Sequence, residues 1–311
     1  MTNDPEDSQS TAERKPGVLG FVGVGTMGRP MARRLIEAGH DLIVYDRDDV
    51  AVQELAGLGA RVAKSVREVA DKARIVFTSL PTPEIFRQVA IGPDGLVSGD
   101  ALKILVDLST VGSRVEKEVA QALLARGIET VDAPVSGGAA GAGKGTLAIM
   151  AAGAPASLDE VRPLFDVLGK VFVVGGVPGQ GQLLKLLNNM LSTTAFAITS
   201  EAYVAGIHGG LDPEVMMAVF NAGSGKNGAT LDKFPKHVLP ATFDFGFPVG
   251  SVCKDIGLAV EECQALGVPM RVGSAARQVW NDAAMQDGAA CDMTELVRYV
   301  ERWSSAGGLD D

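Results

Sequence analysis

Aromatic residues are scarce, at 5% of the 311 positions, whereas 38 positions are glycine. That balance suits tight turns and close helix packing more than a β-sandwich core. Cysteine is nearly absent: Cys253, Cys263 and Cys291 are scattered and share no metal-ligand spacing. No metal is therefore expected, and a reducing cytoplasmic setting is the simplest reading. Basic residues are outnumbered, 28 Lys and Arg against 38 Asp and Glu, for a formal net charge of −10. Phosphate backbones need clustered cations, so no nucleic-acid partner is expected. A small anionic substrate remains compatible, because one local cationic pocket is enough to hold it. Long apolar runs are missing too, each being broken by Gly, Lys or Asn, so no membrane partner is expected. Residues 1–15 are polar and acidic, lack the apolar stretch of a signal peptide, and read as a flexible tail.

What is present is an alternation. From residue 18 to about 174, short β-rich runs fall at 18–22, 42–45, 75–79, 104–108, 128–132, 147–152 and 171–174. Each is almost continuously apolar, as a strand covered on both faces of a parallel sheet must be. Amphipathic stretches at 29–38, 113–125 and 158–168 separate them. The pattern predicts right-handed βαβ units and a doubly wound α/β sheet of Rossmann type. Past Gly176 the strands stop, and a helical segment runs from about 180 to 208, too long for a crossover helix. Further helices follow. Asp212-Pro213 reads as an N-cap with proline at the first helical position, and Asp292-Met293-Thr294-Glu295 as a capping box. The expected division is a tail at 1–16, a Rossmann domain at 17–177 and an all-α domain at 178–305. The long helix would join the two, and glycines after Ala306 would end the last helix.

Gly23-Val24-Gly25-Thr26-Met27-Gly28 sits after a predicted strand and opens a predicted helix. The first glycine permits the tight turn, the second lets backbone approach a pyrophosphate, and the third allows helix and strand to pack closely. N–H groups at the helix start then face the diphosphate. A glycine loop alone is weak evidence. It gains weight from Asp46, which ends the second strand 18 residues after Gly28 and suits the adenine ribose hydroxyls. Asp46 would repel a 2′-phosphate, favouring NAD, whereas Arg47 beside it would pair such a phosphate or stack on adenine.

Two segments carry candidate chemistry. In the long helix, Leu183, Leu184, Leu186, Leu187, Met190 and Leu191 surround nearly the whole circumference, which predicts a buried helix. Lys185, Asn188, Asn189 and Ser192 nevertheless form one polar stripe, at i, i+3, i+4 and i+7. A desolvated lysine exchanges protons near neutral pH; the bland alternative is a lysine that snorkels to solvent. The second segment is Asp132-Ala133-Pro134-Val135-Ser136-Gly137-Gly138, running into a glycine-rich stretch to Gly145. It reads either as a nest of free N–H groups for a carboxylate or as an exposed loop.

Together these segments resemble the β-hydroxyacid dehydrogenase family, which takes in 3-hydroxyisobutyrate dehydrogenases and tartronate semialdehyde reductases. The resemblance spans about residues 17–305. It rests on Gly20-Phe21-Val22 with the glycine loop, on 132–138, on 176–189 and on Lys254-Asp255-Ile256. It implies reversible hydride transfer between NAD or NADP and a short 3-hydroxy acid or semialdehyde, in a homodimer or homotetramer. It implies that Lys185 is the catalytic acid/base and that Asn189 orients substrate or lysine. Ser136, Gly137 and Gly138 would hold the substrate carboxylate. Gly23, Gly25, Thr26, Met27, Gly28, Asp46, Arg47, Leu80, Pro81 and Thr110 would contact the cofactor, with Lys254 at its nicotinamide end. The family usually has Asn where this chain has Arg34, for which a structural effect alone is expected. Lys226, in a loop that varies between subgroups, is either a solvated charge or a second anion contact. Three rivals carry other chemistry: an oxidative decarboxylase, whose C-terminal domain is much larger; an imine reductase, which usually lacks the lysine; and a catalytically silent nicotinamide-binding assembly protein.

Overall fold

The computed structural model describes residues 17–306; the expected N-terminal tail and the glycines at 307 and 308 lie outside the described residues. In chain order the elements are β1 (Leu19–Val22), α1 (Gly28–Glu37), β2 (Leu42–Tyr45), α2 (Asp49–Ala56), β3 (Arg61–Val62), α3 (Val66–Lys72), β4 (Ile75–Thr78), α4 (Pro83–Ile91), β5 (Ile104–Asp107), α5 (Ser113–Leu124), β6 (Glu129–Asp132), β7 (Val135–Ser136), α6 (Gly138–Lys144), β8 (Leu147–Ala152), α7 (Pro155–Leu168) and β9 (Gly169–Gly175). Helices follow: α8 (Gln180–His208), α9 (Pro213–Ala222), a π-helical segment Ala229–Val238, α10 (Val249–Ala265), α11 (Arg271–Asp287) and α12 (Leu296–Ala306).

The strands lie in the spatial order β3-β2-β1-β4-β5-β6-β8-β7, with β9 beside β8. From β3 to β6 every pairing is parallel. The chain reverses direction across the sheet between β3 and β4, which leaves a crevice at the C-terminal ends of β1 and β4. Period-two alternation feeds two apolar layers. Phe21 and Phe77 stack on one face, with ring centres 5.9 Å apart, while Val22 and Val76 point to the other.

Two sheet features depart from expectation. β8 runs antiparallel to β6 and β7, so the sheet is parallel only in part. A buried apolar run reads the same in either direction, and only the connections decide. β9 is an edge strand with half-exposed and exposed residues, not one covered on both faces, because β8 alone pairs with it. The two-residue strands β3 and β7 give no periodic signal at all.

α8 has the expected bounds but is not buried all round. Leu184 and Leu191 are 40% and 70% exposed, while Lys185 and Leu186 are buried. The remaining helices wrap a core around Trp280, Phe196 and Phe234, and Trp280 Nε1 donates to the Thr193 carbonyl at 3.3 Å. Asp212 caps α9 through the Val215 N–H at 2.9 Å. Asp292 accepts from Thr294 N at 2.9 Å and, through its other oxygen, from Gly246 N at 2.7 Å. Arg34 is structural: its Nε donates to the Val167 carbonyl at 2.8 Å, tying α1 to α7.

The start of α8 is fastened to the strand ends. A Cβ on Gly181 would stand 2.2 Å from the Met150 carbonyl oxygen, so only glycine lets α8 approach β8 this closely. Next to it, Gln182 N donates to Asp132 Oδ2 at 2.8 Å, and its side-chain Nε2 donates to Asp107 Oδ2 at 3.2 Å and the Ser109 carbonyl at 3.1 Å. Its Oε1 accepts from Val111 N and Gly112 N at 3.0 and 3.3 Å. Asp107 also takes hydroxyl bonds from Thr78 (2.7 Å) and Ser109 (2.6 Å).

Glu116 of α5 shares this buried space, yet no N–H or hydroxyl donor reaches either of its oxygens. Burial, then the charges of Asp107 and Asp132, hold its carboxyl well above the ordinary range. Glu116 is thus held toward its neutral form. Burial also raises Asp132 to about 7. A carboxyl raised on folding adds stability below its unfolded value and loses it as pH climbs through the folded value. Stability should thus decline between about pH 4 and 7 as Asp132 titrates. Glu116→Gln, which cannot ionise, should gain on the parent chain progressively as pH rises above 4.5. Denaturant unfolding at pH 5, 6.5 and 8 measures this; a gap that stays constant with pH would exclude the raised Glu116 carboxyl.

Candidate active site

The glycine loop lies at the C-terminal end of β1, over the crevice. Gly23 has φ +89°, and a Cβ there would stand 2.3 Å from the Ser79 carbonyl oxygen. At Gly28 a Cβ would stand 1.9 Å from the Gly23 carbonyl oxygen, so the first and third glycines are fixed by packing within the protein. Gly25 differs, since a Cβ there would meet nothing within 4 Å. The open space over Gly25 is free for a group outside the chain. Met27, at the N-cap of α1, offers no side-chain cap, and the first turn holds no acid. No side chain therefore competes with an anion for the free N–H groups at this helix start. The side chains and backbone here fit a diphosphate.

Asp46 sits at the end of β2, as the fingerprint requires. Its Oδ2 accepts from Val24 N at 2.6 Å and its Oδ1 from Asp48 N at 2.9 Å. The carboxylate thus braces the glycine loop and still has lone pairs for ribose hydroxyls. It lines a cavity of about 420 Å³ together with Tyr45, Arg47, Asp49 and Lys64. Lys64 was not foreseen, because it follows a strand too short to be read from sequence. Leu80 N donates to Ser109 Oγ at 2.8 Å, which joins the β4 and β5 ends beside the loop. Pro81 and Lys254 line a second cleft, of about 470 Å³, between the start of α4 and α10.

Asn189, Lys254 and Thr110 are joined through a residue that carried no expected role. Asn189 Nδ2 donates to Asp255 Oδ2 at 2.7 Å, and Asp255 Oδ1 lies 3.1 Å from Lys254 Nζ. Lys254 Nζ donates onward to the Thr110 carbonyl at 2.6 Å. Asp255 stands in the Lys254-Asp255-Ile256 segment, so its signal was present; its partner, 66 residues away, was not. Lys185 is 7% exposed. Among the described residues its ammonium makes no hydrogen bond and has no carboxylate within ion-pair distance. Burial lowers its pKa to about 8, Asp255 pulling it up and Lys254 pushing it further down. Within the expected stripe, Asn188 faces solvent while Asn189 and Ser192 are half-buried.

The segment after Asp132 is not an exposed loop but regular structure. Val135 and Ser136 pair with Ile149 and Ala148 of β8, and the glycine-rich stretch from Gly138 is the helix α6. Gly137 and Gly138 have φ +134° and +63°, and a Cβ on Gly138 would meet nothing within 4 Å. Gln182, one turn before Lys185, is bonded to Asp132 at the root of this segment. Lys226 is exposed, which matches a solvated charge. The lysine that does reach the stripe is Lys233, whose Nζ lies 3.3 Å from Ser192 Oγ.

Residues 18–176 match the family described as the NAD binding domain of 6-phosphogluconate dehydrogenase. Residues 179–300 match the family described as NAD-binding of NADP-dependent 3-hydroxyisobutyrate dehydrogenase. The chain is 36% identical over 276 residues to 3-hydroxyisobutyrate dehydrogenase of Pseudomonas aeruginosa, covering 86% of this chain and 93% of that one. It is 33% identical over 285 residues to 2-(hydroxymethyl)glutarate dehydrogenase of Eubacterium barkeri, covering 91% and 95%. Among solved structures, the 3-hydroxyisobutyrate dehydrogenase of Mycobacterium tuberculosis with L-serine superposes with a TM-score of 0.83 at 29% identity, covering 92% and 99%.

The contrast between the second and third glycines gives a test. Gly25→Ala should leave folding stability within about 0.5 kcal/mol and weaken NADH binding at least tenfold, about 1.4 kcal/mol. Gly28→Ala should cost more than about 2 kcal/mol of stability through the clash with Gly23. Thermal unfolding and cofactor titration separate the two; equal NADH affinity in Gly25→Ala would show that the open space is not the diphosphate site.

Proposed function

Because the chain belongs to the β-hydroxyacid dehydrogenase family, we propose that it interconverts a short 3-hydroxy acid and its semialdehyde, with Lys185 as acid/base. The enzyme is an NAD(P)-dependent oxidoreductase acting on the CH–OH group of a hydroxy acid. The observation that carries the role of Lys185 is its ammonium: buried, without hydrogen bond or ion pair, and poised at about 8. A group so placed holds a proton below that value and has lost it above.

The bound nicotinamide supplies hydride in one direction and accepts it in the other. The chain's residues handle the proton and the geometry. In reduction, protonated Lys185 donates its proton to the oxygen that becomes the hydroxyl. In oxidation, neutral Lys185 takes the hydroxyl proton. Asn189, held by Asp255, orients the substrate beside the lysine. Ser136, Gly137 and Gly138 hold the carboxylate on the open side of the segment. Lys254, anchored on Thr110, closes the cofactor side. Gly23, Gly25, Thr26, Met27 and Gly28 hold the diphosphate, and Leu80 and Pro81 flank the dinucleotide.

NAD is the proposed cofactor. The Asp46 carboxylate at the ribose end supports it, with Asp49 in the same cavity offsetting Arg47 and Lys64. Residues 17–177 would form the cofactor domain and 178–305 the substrate and assembly domain. A homodimer or homotetramer is supported by Leu184, Leu191 and Ile198, exposed apolar residues spaced by seven on α8. Three free thiols support a cytoplasmic setting.

Lys185→Met should reduce kcat by about 10²–10⁴-fold while cofactor titration stays near that of the parent enzyme. In the parent enzyme, kcat/KM for oxidation should rise through about pH 8, and that for reduction should fall over the same interval. Steady-state rates on 3-hydroxyisobutyrate and methylmalonate semialdehyde, with NAD and NADP, measure all three. Near-normal turnover in Lys185→Met overturns the acid/base assignment, and a strong NADPH preference overturns the reading of Asp46.

A further inference from the structure

Lys233 is a second buried lysine, and nothing in the reaction above uses it. It lies in the π-helical segment at 7% exposure. Its ammonium has Ser192 Oγ at 3.3 Å and the centre of the Phe245 ring at 5.0 Å. Among the described residues no carboxylate stands within ion-pair distance. Asp232, the adjacent residue, is paired with Lys236 instead and acts on Lys233 only at longer range. A hydroxyl and a ring face soften the burial of an ammonium but do not neutralise it. The site is short of one anion.

Ser192 ties that ammonium to the reacting face. It is seven residues, two helical turns, beyond Lys185, which places both on one side of α8 about 10.5 Å apart along the axis. The polar stripe between them therefore has a desolvated cation at each end. Burial lowers both lysines from their ordinary value. The chain also holds strained backbone here: Ala241 and Phe243, in the stretch that brings Phe245 over Lys233, have φ of 56° and 49°. Left-handed backbone at residues with a Cβ persists where surrounding structure imposes it, as it does around ligand sites.

We propose that Lys233 binds a second carboxylate of the substrate, so that the preferred substrate is a dicarboxylic 3-hydroxy acid. One carboxylate would lie at Ser136–Gly138, the carbinol at Lys185 and the other carboxylate at Lys233 and Ser192. This rests on Lys185 as the acid/base.

A matched pair tests it: 2-(hydroxymethyl)succinate is 3-hydroxyisobutyrate with one added carboxylate. The parent enzyme should favour the dicarboxylate at least tenfold in kcat/KM, mostly through KM. Lys233→Met should cut that ratio at least tenfold, and Lys233→Arg should keep most of it. A parent ratio near one, or an unchanged ratio in Lys233→Met, overturns the proposal. Calorimetric titration of the enzyme–NAD complex with 2-methylsuccinate, which has no hydroxyl to react, reads Lys233 independently of turnover. Weakened binding in Lys233→Met supports the site and equal binding overturns it. If neither hydroxy acid is oxidised, the Lys185 reading fails while this titration still decides Lys233.

Discussion

Both polar atoms of the buried Gln182 side chain are committed to the end of β5 and the residues after it, and its own N–H to the end of β6. It bonds Asp132 at the end of β6, Asp107 at the end of β5, and the backbone from Ser109 to Gly112. These contacts set where α8 leaves the sheet. Lys185 is three residues further on, so the same bonds set where the proposed acid/base stands relative to the crevice. Leaving any one donor or acceptor unpaired there costs about 1–3 kcal/mol, which makes the junction rigid rather than a loose hinge. The carboxylates in it are there as acceptors first. Burial, and then their charges, raise the Glu116 carboxyl beside them.

The site reuses one physical device, desolvation opposed by a partial partner. Lys185 is buried near Asp255 but not bonded to it, and settles near 8. Lys254 is less buried, is paired with Asp255 and donates to Thr110, so it serves as a strut. Lys233 is buried against a hydroxyl and a ring. Three lysines within one region thus differ in electrostatic setting because their partners differ, and the overall acidic charge of the chain says nothing about any of them. The long-range bond from Asn189 engages Asp255, the carboxylate whose charge acts on Lys185.

Much of the fold was legible. β1, β2, β4 and β5, the bounds of α8 and the cap at Asp212 follow from local patterns, because apolar period and capping chemistry act over a few residues. β3 and β7 are too short to carry a period. The direction of β8 depends on its connections, and the exposure of Leu184 and Leu191 depends on what packs against α8. At the site, Gly23, Gly25, Gly28, Asp46 and Lys185 were readable. Asp107, Gln182, Lys233 and the bond from Asn189 to Asp255 were not, since each acts through a partner distant in sequence.

The chain's own order of residues therefore determined the dinucleotide loop, the alternation that builds a doubly wound sheet, and the presence of a lysine within an apolar helix. Local geometry suffices for these: a tight turn needs glycine, and a covered strand needs apolar side chains. Only the tertiary structure decided that Gly25 faces open space while Gly28 is fixed by packing. It alone showed that, among the described residues, Lys185 has no carboxylate within ion-pair distance, and that the lysine reaching its polar stripe is Lys233, not Lys226. Burial and electrostatic pairing are properties of neighbours in space, and a one-dimensional pattern does not contain them.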